Sequence, residues 1–201
     1  MTSFAAAERL RLVAVKCTTA AARDGWRSSL ATDAAGVGGG LFALDPEPVQ
    51  GGPGPGHTHV LALPDGATVT RPPGGHHAEV RTDDWVRHGT TIVARPDAVA
   101  SALIVAEVMC TEPAEFDDWD RWYDEIHLPD MMASDTFAAG TRWTRADPRL
   151  GTSNHLTVYE VSGITVDQAV ERSAEIMPGL IAAGRKHRCH TGGLTMALVA
   201  V

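Results

Sequence analysis

The sequence predicts an α+β protein of two tandem β-α-β-β-α-β units, the ferredoxin-like arrangement, and three observations predict it. Residues 99–201 divide into four strand-like apolar runs and two helical segments in that order. Residues 1–98 repeat much of that order, with four strand-like runs and one helical segment. Strong breakers separate the elements, above all the Pro- and Gly-rich loop from Pro46 to Gly56.

In the second half, Ala102 to Cys110 (ALIVAEVMC) has the length and β-branched content of a strand. Thr111, Glu112 and Pro113 signal a helix start, with Thr as a cap, Pro in the first turn and acids from Glu115 to Asp118 near the positive end. The helix is expected from Ala114 to His127, and Phe116, Trp119, Tyr123 and Ile126, spaced three and four apart, mark its buried face. Leu128-Pro129 should end it, because Pro restricts the residue before it and has no N–H to continue the ladder. A turn through Met131 and Met132 leads to strands at Thr136 to Ala146 and His155 to Val161. The turn chemistry of Asp147 to Gly151 between them suits a hairpin. Thr165 to about Ala183 reads as a second helix with Val166, Ala169, Val170 and Ile176 inward. Gly184 suits its stop, and Arg185 and Lys186 sit beside its negative end. Leu194 to Val201 is the last strand.

The first half is less regular. Strands are expected at Leu10 to Thr18, His57 to Leu63 and Val86 to Ala94, with an apolar run at Leu41 to Leu44 and a helix from Ala20 to Thr32 around Trp26 and Leu30. Pro64 to Gly75 is turn-rich where a second helix would fall, so this half reads as a degenerate copy. A four-stranded sheet with its helices on one face leaves the other face needing cover. Two such sheets closing face to face, within one chain or between subunits, would form a barrel and enclose a pocket for a small apolar ligand.

Composition narrows the function classes. The chain has 201 residues, 44% of them apolar, and a net charge of −8. Its Lys and Arg residues are scattered, without the basic stripe of a nucleic-acid binder. No apolar stretch approaches the ~20 residues of a membrane helix, and the N-terminus lacks the order of a secretory signal, so a cytoplasmic protein is expected. Cys17, Cys110 and Cys189 lie far apart and read as free thiols.

The distinctive stretch is Trp119-Asp120-Arg121-Trp122-Tyr123-Asp124-Glu125-Ile126-His127-Leu128-Pro129-Asp130. It resembles the Trp-Tyr…His-hydrophobic-Pro pattern that ends the first helix of EthD-like and related dimeric α/β-barrel proteins. Phe137 to Trp143 fills the place of the strand that carries Arg and an aromatic, although Asp135-Thr136 stands where the family has Pro-Gly. The resemblance covers about half the chain. It implies a barrel of the dimeric α/β type lined by apolar residues, in a family that includes cofactor-free monooxygenases, lactone isomerases and cyclases of polyketide or aromatic intermediates.

His127, at the expected end of its helix and near Asp124 and Asp130, should favour the protonated imidazole and serve as a general acid or base. The alternative is a structural His that caps the helix. Tyr123, four residues earlier, shares its helix face and could donate to a substrate carbonyl. Asp124 could orient the His127 ring or sit in solvent. Trp119, Trp122, Trp143 and Met131 are candidates for lining a substrate site or for packing. Arg142 and Arg145 differ by three, so they point to opposite faces of a strand. If Arg142 faces inward it would hold an anionic group of the substrate; a surface position is the alternative. His57 and His59, at i and i+2, share one face of a strand, and His76-His77 with Glu79 could add ligands. Without a third defined ligand they read better as loop or surface histidines, and His187, Cys189 and His190 also cluster but lack a partner pair. No phosphate-cradling loop or Gly-x-Ser-x-Gly elbow occurs. The expectation is therefore an enzyme without metal or cofactor acting on a small apolar, oxygenated compound by cyclisation, isomerisation, dehydration or oxygenation. A non-catalytic ligand-binding protein is the alternative, and pairing as a homodimer stays open.

Overall fold

The structure, a computed structural model, describes residues 4–17, 42–43, 57–64, 77–150 and 152–200. The expected helix at 20–32, the loop at 46–56, the turn-rich segment and His76 lie outside these residues, as do the side chains of His57, His59, His77 and Glu79.

The described strands are β1 (Arg9–Cys17), β2 (Phe42–Ala43), β3 (His57–Pro64), β4 (His77–Val93), β5 (Ala102–Cys110), β6 (Phe137–Arg145), β7 (His155–Val161) and β8 (His190–Ala200). They close into one antiparallel barrel in the order β1-β3-β2-β8-β5-β7-β6-β4. Read from β4, the ring is β4-β1-β3-β2 followed by β8-β5-β7-β6. Each half thus contributes its fourth, first, third and second strand in turn, the expected tandem ferredoxin-like architecture. The halves meet at two seams, β2–β8 and β4–β6, each joining the second strand of one half to the fourth of the other.

Three boundaries differ from expectation. β4 begins at His77 rather than Val86, because one long strand pairs with β1 through its first part and with β6 through its second. The acids Asp83 and Asp84 disguise it, yet both are paired: Asp84 with Arg11 at 2.6 Å and Asp83 with Arg145 at 2.5 Å. β8 begins at His190 rather than Leu194, with His190 opposite Cys110. Leu128-Pro129 does not end the first helix. The helical run passes through α1 (Phe116–Trp122), a π-turn (Tyr123–His127) and α2 (Leu128–Met132). The Leu128 N–H donates to the Tyr123 carbonyl. That wider turn re-spaces the ladder just before Pro129, so the missing N–H falls in the first turn of α2, where proline is tolerated.

The first helix opens with a short 3₁₀ turn at Pro113–Glu115 without a side-chain cap. Thr111, expected as that cap, donates instead to the Cys189 carbonyl. The second helix, α3 (Val166–Ala182), is capped as its sequence suggests. Thr165 and Gln168 form a reciprocal capping box, and Gly184 takes φ +69° after its end.

Strand alternation separates two cores. Leu103, Val105, Leu156, Val158, Trp85 and Trp143 fill the barrel interior, and the Phe4 side chain from the N-terminal 3₁₀ turn is buried among them. The Ala5 N–H donates to Glu160 at 2.9 Å and Arg87 donates to the Ala7 carbonyl, which pins that turn to the barrel. Arg145 lies over the Trp85 ring, 4.4 Å from its centroid. Among the described residues, the interior-facing side chains pack against one another. On the opposite face, Ala102, Ile104, Val108, Tyr159 and Val161 pack against Trp119, Trp122, Tyr123, Leu128, Met131 and Met132 of the helical run.

Candidate functional site

The chemistry-bearing residues gather in the outer layer, between the helical run and the sheet. The π-turn adds one residue to a helical turn and presents Tyr123 and His127 together on the buried side, with ring centroids 4.7 Å apart. The His127 ring stacks on Trp122 at 5.1 Å and lies 5.3 Å from the His190 ring. The Trp119 indole N–H donates to Nδ1 of His190 at 3.3 Å, which leaves the proton of a neutral His190 on Nε2. Trp122 donates to the Arg185 carbonyl at 2.8 Å. The Tyr123 hydroxyl lies 2.7 Å from Thr157 Oγ1.

Arg142 is the polar centre of this layer. Arg142 and Arg145 do take opposite faces, Arg145 toward the barrel interior and Arg142 toward the helices. Neither a surface position nor a substrate anion accounts for Arg142: it is 2% exposed, and its Nη2 and Nη1 reach Asp120 at 2.5 Å and Asp124 at 2.6 Å. Its Cζ lies 4.6 Å from the Tyr123 ring centroid. Asp124 accordingly serves Arg142 and not the His127 ring, and it also accepts from the Thr90 N–H at 3.0 Å.

Thr90 belongs to a bulge in β4. Arg87 faces Trp143 and Thr91 faces Thr141, so three residues on β4 stand opposite Arg142 alone. Gly89 takes φ +64°, and a Cβ there would come within 2.7 Å of Asp124 Oδ1 and 2.8 Å of Arg142 Nη1. The bulge sends His88 to Asp120, Nε2 to Oδ1 at 2.9 Å. The first half of the chain thus clasps the Arg142 network from outside the barrel.

Burial sets the protonation of the layer. Desolvation lowers His127 to about 4, against the raising influence of Asp130. The protonated form expected for this residue is therefore replaced by a neutral one: the helical run continues past His127, so no helix terminus stabilises a charge there. Desolvation likewise lowers His155 to about 4 and His190 to about 3. Burial also raises the Tyr123 hydroxyl and raises Tyr159 well above the usual range. Asp120 moves the other way; burial works to raise it, but hydrogen bonds from His88 and Arg142 hold it below the usual carboxylate range.

Of the residues singled out in the sequence, His127, Tyr123, Asp124, Trp119, Trp122, Met131 and Arg142 come together in this layer, while Trp143 lies on the other face, in the barrel core. His88, Asp120, His155 and His190 join the layer without having been expected there. Asp120 carries a legible signal, four residues before Asp124 on the same helix face. His155 alternates with Thr157 and Tyr159 along β7, and its ring lies 5.2 Å from Trp119 and 5.6 Å from His88. His88 carries no such signal, because only the bulge turns it toward the helix.

Among the described residues, Glu115, Asp118 and His187 form the one group spaced to hold a metal ion. Its members are already engaged. The Cys189 N–H donates to Nδ1 of His187, Nε2 faces Asp118 at 3.2 Å, and Arg188 pairs with Glu115.

The layer can therefore accept a proton. Among the described residues, no hydrogen-bond partner engages the ring nitrogens of His127, a neutral imidazole held between Trp122 and Tyr123.

The fold is of the dimeric α/β-barrel type. The putative monooxygenase of Fusobacterium nucleatum superposes with a TM-score of 0.55 at 8% identity, over 97% of this chain and 95% of its own. The putative monooxygenase of Lactobacillus acidophilus superposes with a TM-score of 0.51 at 11% identity, over 96% and 98%. An anthrone oxidase-like protein gives 0.43 at 12% identity, over 97% and 93%. No protein-family model matches the chain, and no curated protein is significantly similar to it in sequence. No described helix is long and apolar enough to cross a membrane.

Proposed function

We propose that this chain is a monooxygenase-like enzyme, of EthD-like kinship in its second half, that works without a bound cofactor on a small aromatic or polyketide-type compound. His127 takes a proton from an acidic C–H or O–H of the substrate, Tyr123 steadies the carbonyl beside it, and the resulting anion reacts with molecular oxygen. For an activated methylene, one oxygen atom becomes the product carbonyl and the other leaves as water. Without oxygen, the same proton transfer would serve cyclisation, isomerisation or dehydration.

The observation that carries this reading is the His127 imidazole, buried, neutral and without a hydrogen-bond partner among the described residues. Buried ring nitrogens are mostly hydrogen-bonded, so an unengaged one beside Tyr123 is available for proton transfer; Nδ1 of His155 is likewise buried without a partner. The fold shared with two proteins named as putative monooxygenases agrees with it. The test is oxygen uptake and product analysis over a panel of polycyclic phenols and β-diketones. Replacing His127 with Ala should lower turnover of the best substrate by about 10²-fold or more. Unchanged turnover would remove His127 from the chemistry.

A further inference from the structure

Of the four tryptophans among the described residues, the two in the outer layer have acceptors for their indole N–H groups. Trp119 donates to His190 and Trp122 to the Arg185 carbonyl. The two in the barrel core, Trp85 and Trp143, are 1% and 0% exposed, and neither indole N–H has an acceptor. Nε of Arg145 is buried there without one as well. Unpaired donors in a closed core are costly, and their repetition at one place calls for an acceptor. The β4–β6 register brings them together. Trp85 stands opposite Arg145 and Arg87 opposite Trp143, which puts the two indoles on one diagonal of the sheet. Diagonal neighbours lie roughly 7–8 Å apart, a span that one small molecule covers. The guanidiniums on the other diagonal are already engaged. Arg145 pairs with Asp83 at 2.5 Å, and Arg87 holds the Ala7 carbonyl, Thr91 and Glu8.

We propose that the barrel interior is a second binding site, separate from the His127 layer, for a small neutral aromatic carbonyl compound whose oxygen accepts from the Trp85 and Trp143 N–H groups. The inference stands apart from the function proposed above. The groups left over are donors, so the ligand brings the acceptor. Both guanidiniums have their partners, so that acceptor is an uncharged carbonyl and not an anion. The remainder of the core, with Leu103, Val105, Val158 and Leu198, suits an apolar body. The room for it is the room that Phe4 takes. That ring is buried in the same core, on a turn held by Glu160 at the Ala5 N–H and by Arg87 at the Ala7 carbonyl. An apolar space left by one such side chain accepts a single ring. The ligand is therefore a one-ring compound that takes the place of Phe4 as the turn moves aside.

Acetophenone and cumene are alike in shape and differ in the carbonyl, and proton–nitrogen NMR of the indole N–H groups tests both on the whole chain. Acetophenone should move the Trp85 and Trp143 resonances downfield, with Trp85→Phe and Trp143→Phe identifying them. Those of Trp119 and Trp122, which already have acceptors, should stay in place. Acetophenone should bind about tenfold more tightly than cumene, the worth of two hydrogen bonds. Phe4→Ala removes the competing ring and should tighten acetophenone binding by about tenfold or more. If that variant unfolds, the titration of the unaltered chain still decides. Equal affinity for the two compounds, or acetophenone shifts confined to Trp119 and Trp122, would overturn the interior site. So would Trp85 and Trp143 resonances that neither compound moves, as when a buried water already accepts from them. Each of these outcomes leaves the His127 assignment untouched.

Discussion

His127 and Trp122 lie nearly face to face, with ring centroids 5.1 Å apart and planes 28° from parallel. Such a stack would favour an imidazolium over the indole, yet desolvation dominates and the ring is neutral down to about pH 4. The contact uses the flat face of the imidazole and leaves its nitrogen-bearing edge for chemistry.

One consequence is a pH profile. A base with a pKa of about 4 is competent throughout the neutral range, so kcat/KM should be level above about pH 5 and fall as the pH drops through 4. A limb centred near the ordinary histidine value of 6.5 would assign the proton transfer to another group.

Stability should follow pH in the same direction. His127, His155 and His190 titrate at about 4, 4 and 3 in the folded chain, below the ordinary 6.5 expected when unfolded. Between about pH 6.5 and 4 the unfolded chain binds protons that the folded chain refuses, so stability is full above 6.5 and declines on acidification. Thermal melts across this window should show Tm falling with pH. His155→Phe keeps a ring against Phe116 and Trp119, and should flatten part of that slope.

Gly89→Ala should be costly for two reasons. The position has φ +64°, and the new methyl would press on the Asp124 carboxylate and the Arg142 guanidinium. A loss on the order of 2 kcal/mol is expected in urea unfolding. A neutral result would mean that the β4 bulge can relax away from the helix.

Arg142→Met leaves Asp120 and Asp124 side by side without their cation. Because both acids are partly exposed, the expected loss is on the order of 3 kcal/mol, short of that for a fully buried pair. Adding Asp120→Asn and Asp124→Asn should restore much of it, since the repulsion disappears with the charges. A single variant as stable as the parent would show the network to be dispensable.

Phe4→Ala empties a side chain that is 1% exposed in the barrel core. It should destabilise the fold by about 3 kcal/mol or more while leaving the His127 layer on the other face intact. Circular dichroism melts measure the loss, and turnover at low temperature checks the intact site.

The second half was largely legible because its elements announce themselves locally. Thr165 and Gln168 spell a capping box, Gly184 marks a helix stop, and the β6–β7 hairpin has its turn chemistry between two strand-length runs. What escaped was non-local. The paired acids Asp83 and Asp84 hid the start of β4, since their partners Arg145 and Arg11 are distant in sequence. Pro129 is a breaker by composition, but the π-turn before it changes what the backbone needs there. The buried face of the helix was correct in its residues and silent about its depth. That depth makes His127 neutral and ties Arg142 to two acids. His88 could not be foreseen, because a bulge re-aims its side chain across the boundary between the halves.

The repeated strand order has a consequence for asymmetry. A barrel assembled from two identical subunits carries every site twice and closes only at sufficient concentration. Here one chain supplies both halves, so closure is intramolecular and each half is free to change without its twin following. The second half carries the aromatic helix with His127, and the first lends it the arm that carries His88, Gly89 and Thr90.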